Sequence, residues 1–146
     1  MNKMNQTIKL IDGPIGNEAI NTEIFQTSED TQNGAYALFI GRVRADDEEP
    51  SPVEAIEYSA YPEMVAKVMG ELSEELFGHY SYLTGLRVLH STGRVKAGEV
   101  SLLVMVTGRH RTQIFEALSS CVELIKDRLP VWKKELLADG SSRWIE

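Results

Sequence analysis

Apolar positions fall into alternating runs and helical stripes that succeed one another along the whole chain. Residues 7–11 alternate and predict a first strand, while Ile20, Ile24 and Phe25 recur at helical spacing within 17–25. Residues 35–43 set Tyr36, Leu38 and Ile40 on one parity and Phe39 on the other, which predicts a strand buried on both faces. Residues 45–52 hold four consecutive acids, Asp46 to Glu49, and two prolines, which predicts a mobile surface loop. A strand returns at 53–58. Pro62 suits the first turn of a helix whose Met64, Val65, Val68, Met69, Leu72 and Leu76 form one stripe ending near Gly78. The aliphatic runs 86–90 and 100–107, separated by Gly93 and by Lys96-Ala97-Gly98-Glu99, predict an antiparallel hairpin. Thr112 is the predicted N-cap of a helix in which Phe115, Leu118, Val122, Ile125 and Leu129 recur until Pro130 stops it. Short strands at 131–136 and 143–145 flank a turn at Asp139-Gly140.

The order β, α, β, β, α, β, β, α, β, β lacks the strict alternation of a doubly wound sheet and predicts an α+β fold. With 146 residues, no internal repeat and no linker, residues 1–146 are expected to form one domain. The lone Cys121 has no disulfide partner, which fits a reducing, cytoplasmic setting; mid-helix, it reads as a buried or boundary thiol with no catalytic role. Residues 1–11 carry two lysines but no long apolar run, and no stretch has the length of a membrane span, so neither secretion nor membrane insertion is expected.

Charge changes the picture. The net charge is −7, which argues against a general nucleic-acid binder held by phosphate contacts. Residues 1–86 hold 15 acids and 5 bases, net −10, whereas residues 87–146 hold 7 acids and 10 bases, net +3. This asymmetry suits a local anion site on an acidic body, or a solvated basic face. Nucleotide-binding, zinc and serine-hydrolase signatures are absent from the sequence, and no metal or cofactor is expected.

Three basic groups stand at the ends of predicted elements. Arg42 and Arg44, two residues apart on a strand end, project from one face and can grip one anion, or else are solvated termini. Arg109-His110-Arg111 precede a helix N-terminus, where an anion is favoured; His110 can exchange a proton near neutral pH or simply lie on the surface. Lys126 borders the apolar stripe four residues after Val122, so its amine is expected to be partly desolvated, unless it only complements the helix dipole. Lys133 and Lys134 alternate on a strand, so only one of them can face the site. Tyr58 and Tyr61 read as structural, and Trp132 and Trp144 as packing anchors.

Taken in order, these segments resemble the family of the large catalytic subunit of molybdopterin synthase. The matching pieces are Gly34-Ala35 leading to Phe39-Ile40-Gly41-Arg42-Val43-Arg44, Glu57-Tyr58 with Ala60-Tyr61 and Met64, His90 with Gly93, and Gly98-Glu99. They continue with His110-Arg111 before Phe115-Glu116-Ala117, Leu124-Ile125-Lys126, Pro130-Val131-Trp132-Lys133-Lys134-Glu135, and Gly140 with Arg143-Trp144. Ser91 departs from the pattern, standing where members commonly carry arginine, and the chain ends at Glu146, sooner after Trp144 than many members do.

The resemblance implies an α/β-hammerhead fold with an added antiparallel β subdomain, and a homodimer at the core of a heterotetramer. Each subunit would bind a small ubiquitin-like sulfur-carrier subunit, whose C-terminal thiocarboxylate gives sulfur to cyclic pyranopterin monophosphate to build the molybdopterin dithiolene. It assigns substrate binding to Arg42, Val43, Arg44, His110, Arg111, Lys126, Lys133, Lys134 and Glu135, with Lys126 and Lys133 as the catalytic pair. A non-catalytic module that binds a ubiquitin-like tail or a phosphorylated metabolite is the competing expectation.

Overall fold

The computed structural model describes residues 5–145; residues 1–4, the start of the stretch with two lysines and no long apolar run, and Glu146 lie outside them. The elements are β1 (Gln6–Asp12), α1 (Asn17–Thr27), β2 (Ala35–Arg42), β3 (Val53–Ala60), α2 (Pro62–His79), β4 (Leu83–Lys96), β5 (Val100–Gly108), α3 (Ile114–Arg128), β6 (Val131–Leu137) and β7 (Ser142–Ile145). This is the predicted order and an α+β fold. The strands run β2-β5-β4-β3-β6-β7, with β1 joining β4 in parallel and the other neighbours antiparallel.

β4 belongs to two sheets. Residues Leu83–His90 pair with β5 and Leu86–Thr92 with β1, whereas Gly93–Lys96 pair with β3, which carries β6 and β7 as an antiparallel subdomain. The change of partner falls at Gly93, whose φ of +76° is open to glycine and strained for other residues. The run split in sequence at Gly93 is thus one strand, and only Ala97–Glu99 form the hairpin turn, closed by the Glu99 N–H on the Lys96 carbonyl.

β5 alternates between two cores. Leu102, Val104 and Val106 face α2 and α3 together with Leu86, Val88, Met69, Leu72 and Ile125, while Leu103 and Met105 face α1 with Leu89 and Ile20. The strand buried on both faces is therefore β5, and β2 is an edge strand with Tyr36 and Ile40 exposed. The α1 helix is short, and from β2 only Leu38 packs against its core cluster. Phe25, Met64 and Phe115, counted into helical stripes from their spacing, point outward for a related reason: each lies at the border of its stripe, beyond the sheet. Trp132 and Trp144 are also exposed and do not anchor the core.

Residues 45–52 form neither helix nor strand. They are tied to the subdomain by the Ala138 N–H on the Pro52 carbonyl and the Asp139 N–H on Ser51 Oγ. α3 starts later than predicted. Its N-cap is Gln113, with φ of 61° and no side-chain cap, because the chain first runs past β2 and Tyr82, where the Arg109 N–H meets the Tyr82 carbonyl. Gly34 makes this passage possible, since a Cβ there would run into the carbonyl oxygen of Arg109. Gly34→Ala is expected to cost about 1–3 kcal/mol, the usual range for overpacking, measured by urea unfolding. Gly78→Ala, at a helical position with open space around it, should cost nothing.

Candidate active site

Pro130 ends α3 and turns the chain back as β6, so Lys126 on the last helical turn and Lys133 on the strand approach one another from two elements. β6 pairs with β3 in a register that sets Lys133 directly opposite Tyr58, side chains on one face. Between them lies a cavity of about 40 Å³. Its floor is Tyr58, His90 and Ser101, its apolar wall includes Leu102, Ile125 and Leu129, and Lys126 and Lys133 complete the lining.

The floor is a buried polar cluster. Tyr58 Oη donates to Ser101 Oγ at 3.0 Å, and the His90 ring meets the Tyr58 ring edge-on with centroids 5.3 Å apart. His90 Nδ1 lies 2.8 Å from the Ser91 carbonyl oxygen, which can only accept, so Nδ1 carries the proton and Nε2 is an acceptor. Burial pushes the His90 pKa down to about 4; the bond to Ser91 opposes this, and the charges of Lys133 and Lys126 add to it. Burial also lowers the Lys133 pKa, helped by the neighbouring Lys126 charge, and raises that of Tyr58 against the opposing bond to Ser101.

The desolvated amine is thus Lys133 and not, as spacing suggested, Lys126, which is exposed at the rim. Lys126 lies on the outward side of α3 next to buried Ile125, whereas Lys133 faces inward from a strand. Lys134 faces the other way, with its ammonium 5.5 Å from the centre of the Trp144 ring. Glu135 is buried and held by Arg143 Nε at 2.7 Å, and Arg143 Nη2 reaches Glu48 of the acidic loop at 2.7 Å.

The first arginine group lies at the same end of the sheet. Arg42 is exposed at the end of β2 opposite Val100. Val43 is buried against Tyr58 and Val95, and its N–H and carbonyl are taken by Glu99 and Gly98, so it seats its neighbours and presents nothing itself. Because β2 stops at Arg42 after a bulge, strand alternation does not carry to Arg44, which is exposed and paired with Asp46 at 3.1 Å. His110 and Arg111 stand elsewhere. They are exposed beyond the far end of β5, with the His110 ring 4.6 Å from that of Tyr82. At the rise of a strand, Leu102 and Gly108 at the two ends of β5 are roughly 20 Å apart, so His110 and Arg111 stand at the opposite end of the sheet from the cavity.

Tyr58, His90 and Ser101 carried no assigned role in the sequence reading. For His90 a signal exists: it continues the Leu86-Val88 parity of β4, which places a histidine where an apolar residue would pack. Cys121 is buried and its thiol is pushed up to about 12, which fits a packing role. A larger open groove of about 720 Å³ between α2 and α3, lined by His79, Tyr80 and Glu123, holds none of the predicted residues. Tyr58, His90 and Lys133, all with shifted pKa values, gather in the small cavity, which is the better candidate. Among the described residues no three His, Cys, Asp or Glu side chains converge as a metal site, and no helix is long and apolar enough to cross a membrane.

The family described as "MoaE protein" matches residues 15–128. The molybdopterin synthase catalytic subunit of Nostoc sp. is 32% identical over 123 residues, covering 84% of this chain and 74% of that protein. The subunit of the same name from Pyrococcus abyssi is 35% identical over 116 residues, covering 80% and 76%. Among solved structures, molybdopterin synthase from Staphylococcus aureus superposes with a TM-score of 0.81 at 25% identity, covering 94% of this chain and 96% of that one.

The neutral, buried His90 sets a pH dependence of stability. Its folded pKa of about 4 lies below the ordinary 6.5, so between these values the unfolded chain binds the extra proton. Stability is therefore lost as pH falls from 6.5 towards 4, by up to about 3 kcal/mol, and the loss is complete below that window. Urea unfolding of the wild type and His90→Gln across this range should show that increment as the difference between the two curves.

Proposed function

Because the chain belongs to the MoaE protein family and is a catalytic subunit of molybdopterin synthase, we propose that its Lys126–Lys133 cavity is where sulfur passes from a carrier to the pterin. The carrier is a small ubiquitin-like partner subunit ending in a thiocarboxylate, and the acceptor is cyclic pyranopterin monophosphate. The observation that carries this reading is the pair of amines on one cavity, one exposed and one desolvated, with no carboxylate in its lining. Exposed Lys126 meets the incoming thiocarboxylate and balances its charge, and Lys133 supplies or removes protons close to the acyl carbon. Arg42 and Arg44 face the substrate phosphate, Arg44 exchanging Asp46 for it.

His110 and Arg111 reach such a substrate only from a second copy of the chain, which supports a homodimer whose two sites each draw on both protomers. With one carrier bound per protomer the assembly is a heterotetramer. The relatives' name, catalytic subunit, supports a further subunit, and the free, buried Cys121 supports a cytoplasmic setting. Lys134, turned to Trp144, and Glu135, held by Arg143, are assigned to the support of the site rather than to contact with substrate.

The test is single-turnover formation of molybdopterin from thiocarboxylated carrier and the cyclic pterin, with carrier binding titrated separately. Lys126→Ala and Lys133→Ala should lower turnover about a hundredfold or more while carrier binding changes only a few-fold; Lys134→Ala should stay within about threefold. Wild-type turnover in both of the first two variants would remove the cavity from the chemistry. Mixing inactive Lys126→Ala with inactive Arg111→Ala should restore about a quarter of wild-type activity as protomers exchange, because half of the mixed dimers' sites are intact. No recovery, with exchange confirmed, excludes shared sites.

A further inference from the structure

The floor of the cavity has a use that the lysines do not account for. His90 and Ser101 are each 6% exposed, and both line the cavity. His90 spends its proton on the Ser91 carbonyl, and its Nε2 has no hydrogen-bond partner among the described residues. Ser101 Oγ accepts from Tyr58 Oη, which leaves the Ser101 proton free to donate. An acceptor and a donor thus line one small cavity of about 40 Å³, room enough for a water molecule. A carboxylate or phosphate would match the donor and be repelled by Nε2; a water molecule matches both.

Sulfur transfer as read above, on which this inference rests, requires such a water. Once the thiocarboxylate sulfur has replaced an oxygen substituent on a pterin side-chain carbon, that oxygen leaving with the electron pair of its bond, carrier and pterin are joined through a thioester, and the carrier leaves only when its acyl carbon is attacked. We propose that Tyr58, Ser101 and His90 form the site of this hydrolytic water, with His90 Nε2 as its general base. The water oxygen bonds to the acyl carbon as one of its protons passes to Nε2. The carbon–sulfur bond then breaks with its electron pair on sulfur, and the His90 proton moves to that sulfur. The products are the carrier carboxylate, whose acid proton goes to solvent, and the pterin thiol. Lys126 from α3 and Lys133 from β6 are the charged groups that face His90, with Tyr58 from β3 the other titratable neighbour. In the free protein those two charges help to hold His90 neutral, and an anionic substrate that balances them restores part of its basicity.

The experiment uses the full chain with thiocarboxylated carrier and cyclic pterin, following two signals by intact-mass spectrometry: loss of the thiocarboxylate and release of the carrier as carboxylate. In His90→Gln the first should stay within about threefold of wild type and the second should slow about a hundredfold, so that the carrier–pterin thioester accumulates. The acid limb of the wild-type release rate should vanish in this variant. Ser101→Ala and Tyr58→Phe, which keep the packing, should slow release about tenfold each with the acid limb intact. Release from His90→Gln at the wild-type rate, or equal slowing of both signals at every pH, overturns the proposal. Should His90→Gln not fold, unchanged release in both hydroxyl variants overturns it as well. Wild-type protein that never consumes the thiocarboxylate refutes the sulfur-transfer reading itself, a result distinct from the others.

Discussion

The membership of β4 in two sheets is the constraint on which the molecule depends. Its first part sits between β1 and β5, its last four residues bond to β3, and Gly93 absorbs the change of direction. Had β4 ended at His90, the β3-β6-β7 unit would have no strand pairing with the rest of the sheet. The cavity lies at this junction. His90 is the last β4 residue paired with β5, Tyr58 is opposite Gly93, and Lys133 is opposite Tyr58. Backbone register alone therefore brings three side chains together from three strands.

Electrostatically the site is a concentration of like charge. Two lysines share a cavity whose lining has no carboxylate, and the nearby Glu135 is neutralised by Arg143. Such an arrangement costs stability in the free protein, where each cation disfavours the other and Lys133 is also desolvated. A bound anion relieves both effects, so part of the binding energy is stored in the free state as repulsion. By contrast the buried Glu23, held by Lys9 and Arg87, is a paired charge that fastens α1 to β1 and β4. The two clusters differ in that one buries a charge with its partners and the other gathers like charges without any, which is the pattern expected of a functional site.

Much of this was legible in sequence because periodicity reports local faces. The order of all ten elements, the stop at Pro130 and the opposite facing of Lys133 and Lys134 follow from spacing alone. What depended on neighbours was not legible. The two-faced burial assigned to β2 belongs to β5, because position within a sheet is decided by pairing partners distant in sequence. Lys126 and Lys133 were both singled out, but which amine loses water is settled by what packs beside it, and a strand opposite Tyr58 buries more than the outer side of a helix end. Val43 was carried over with its arginine neighbours although its side chain and backbone are fully engaged within the fold. Tyr58 and Ser101, 43 positions apart, join only through the register of three strands.

The contact between Arg44 and Asp46 gives the acidic loop a second meaning. It is an exposed pair two residues apart, and pairs of this kind contribute only about 0.2–1 kcal/mol. A charge-assisted bond to a phosphate is worth about 1.5–3 kcal/mol, so on the proposed assignment of Arg44 the exchange would favour the ligand. Under the proposed role of Arg44, Asp46 is therefore the group that a phosphate displaces, and until then it holds the guanidinium close to the end of β2. The acidic loop thus serves two arginines at once, Asp46 holding Arg44 and Glu48 holding Arg143, and so joins the end of β2 to the strand β7.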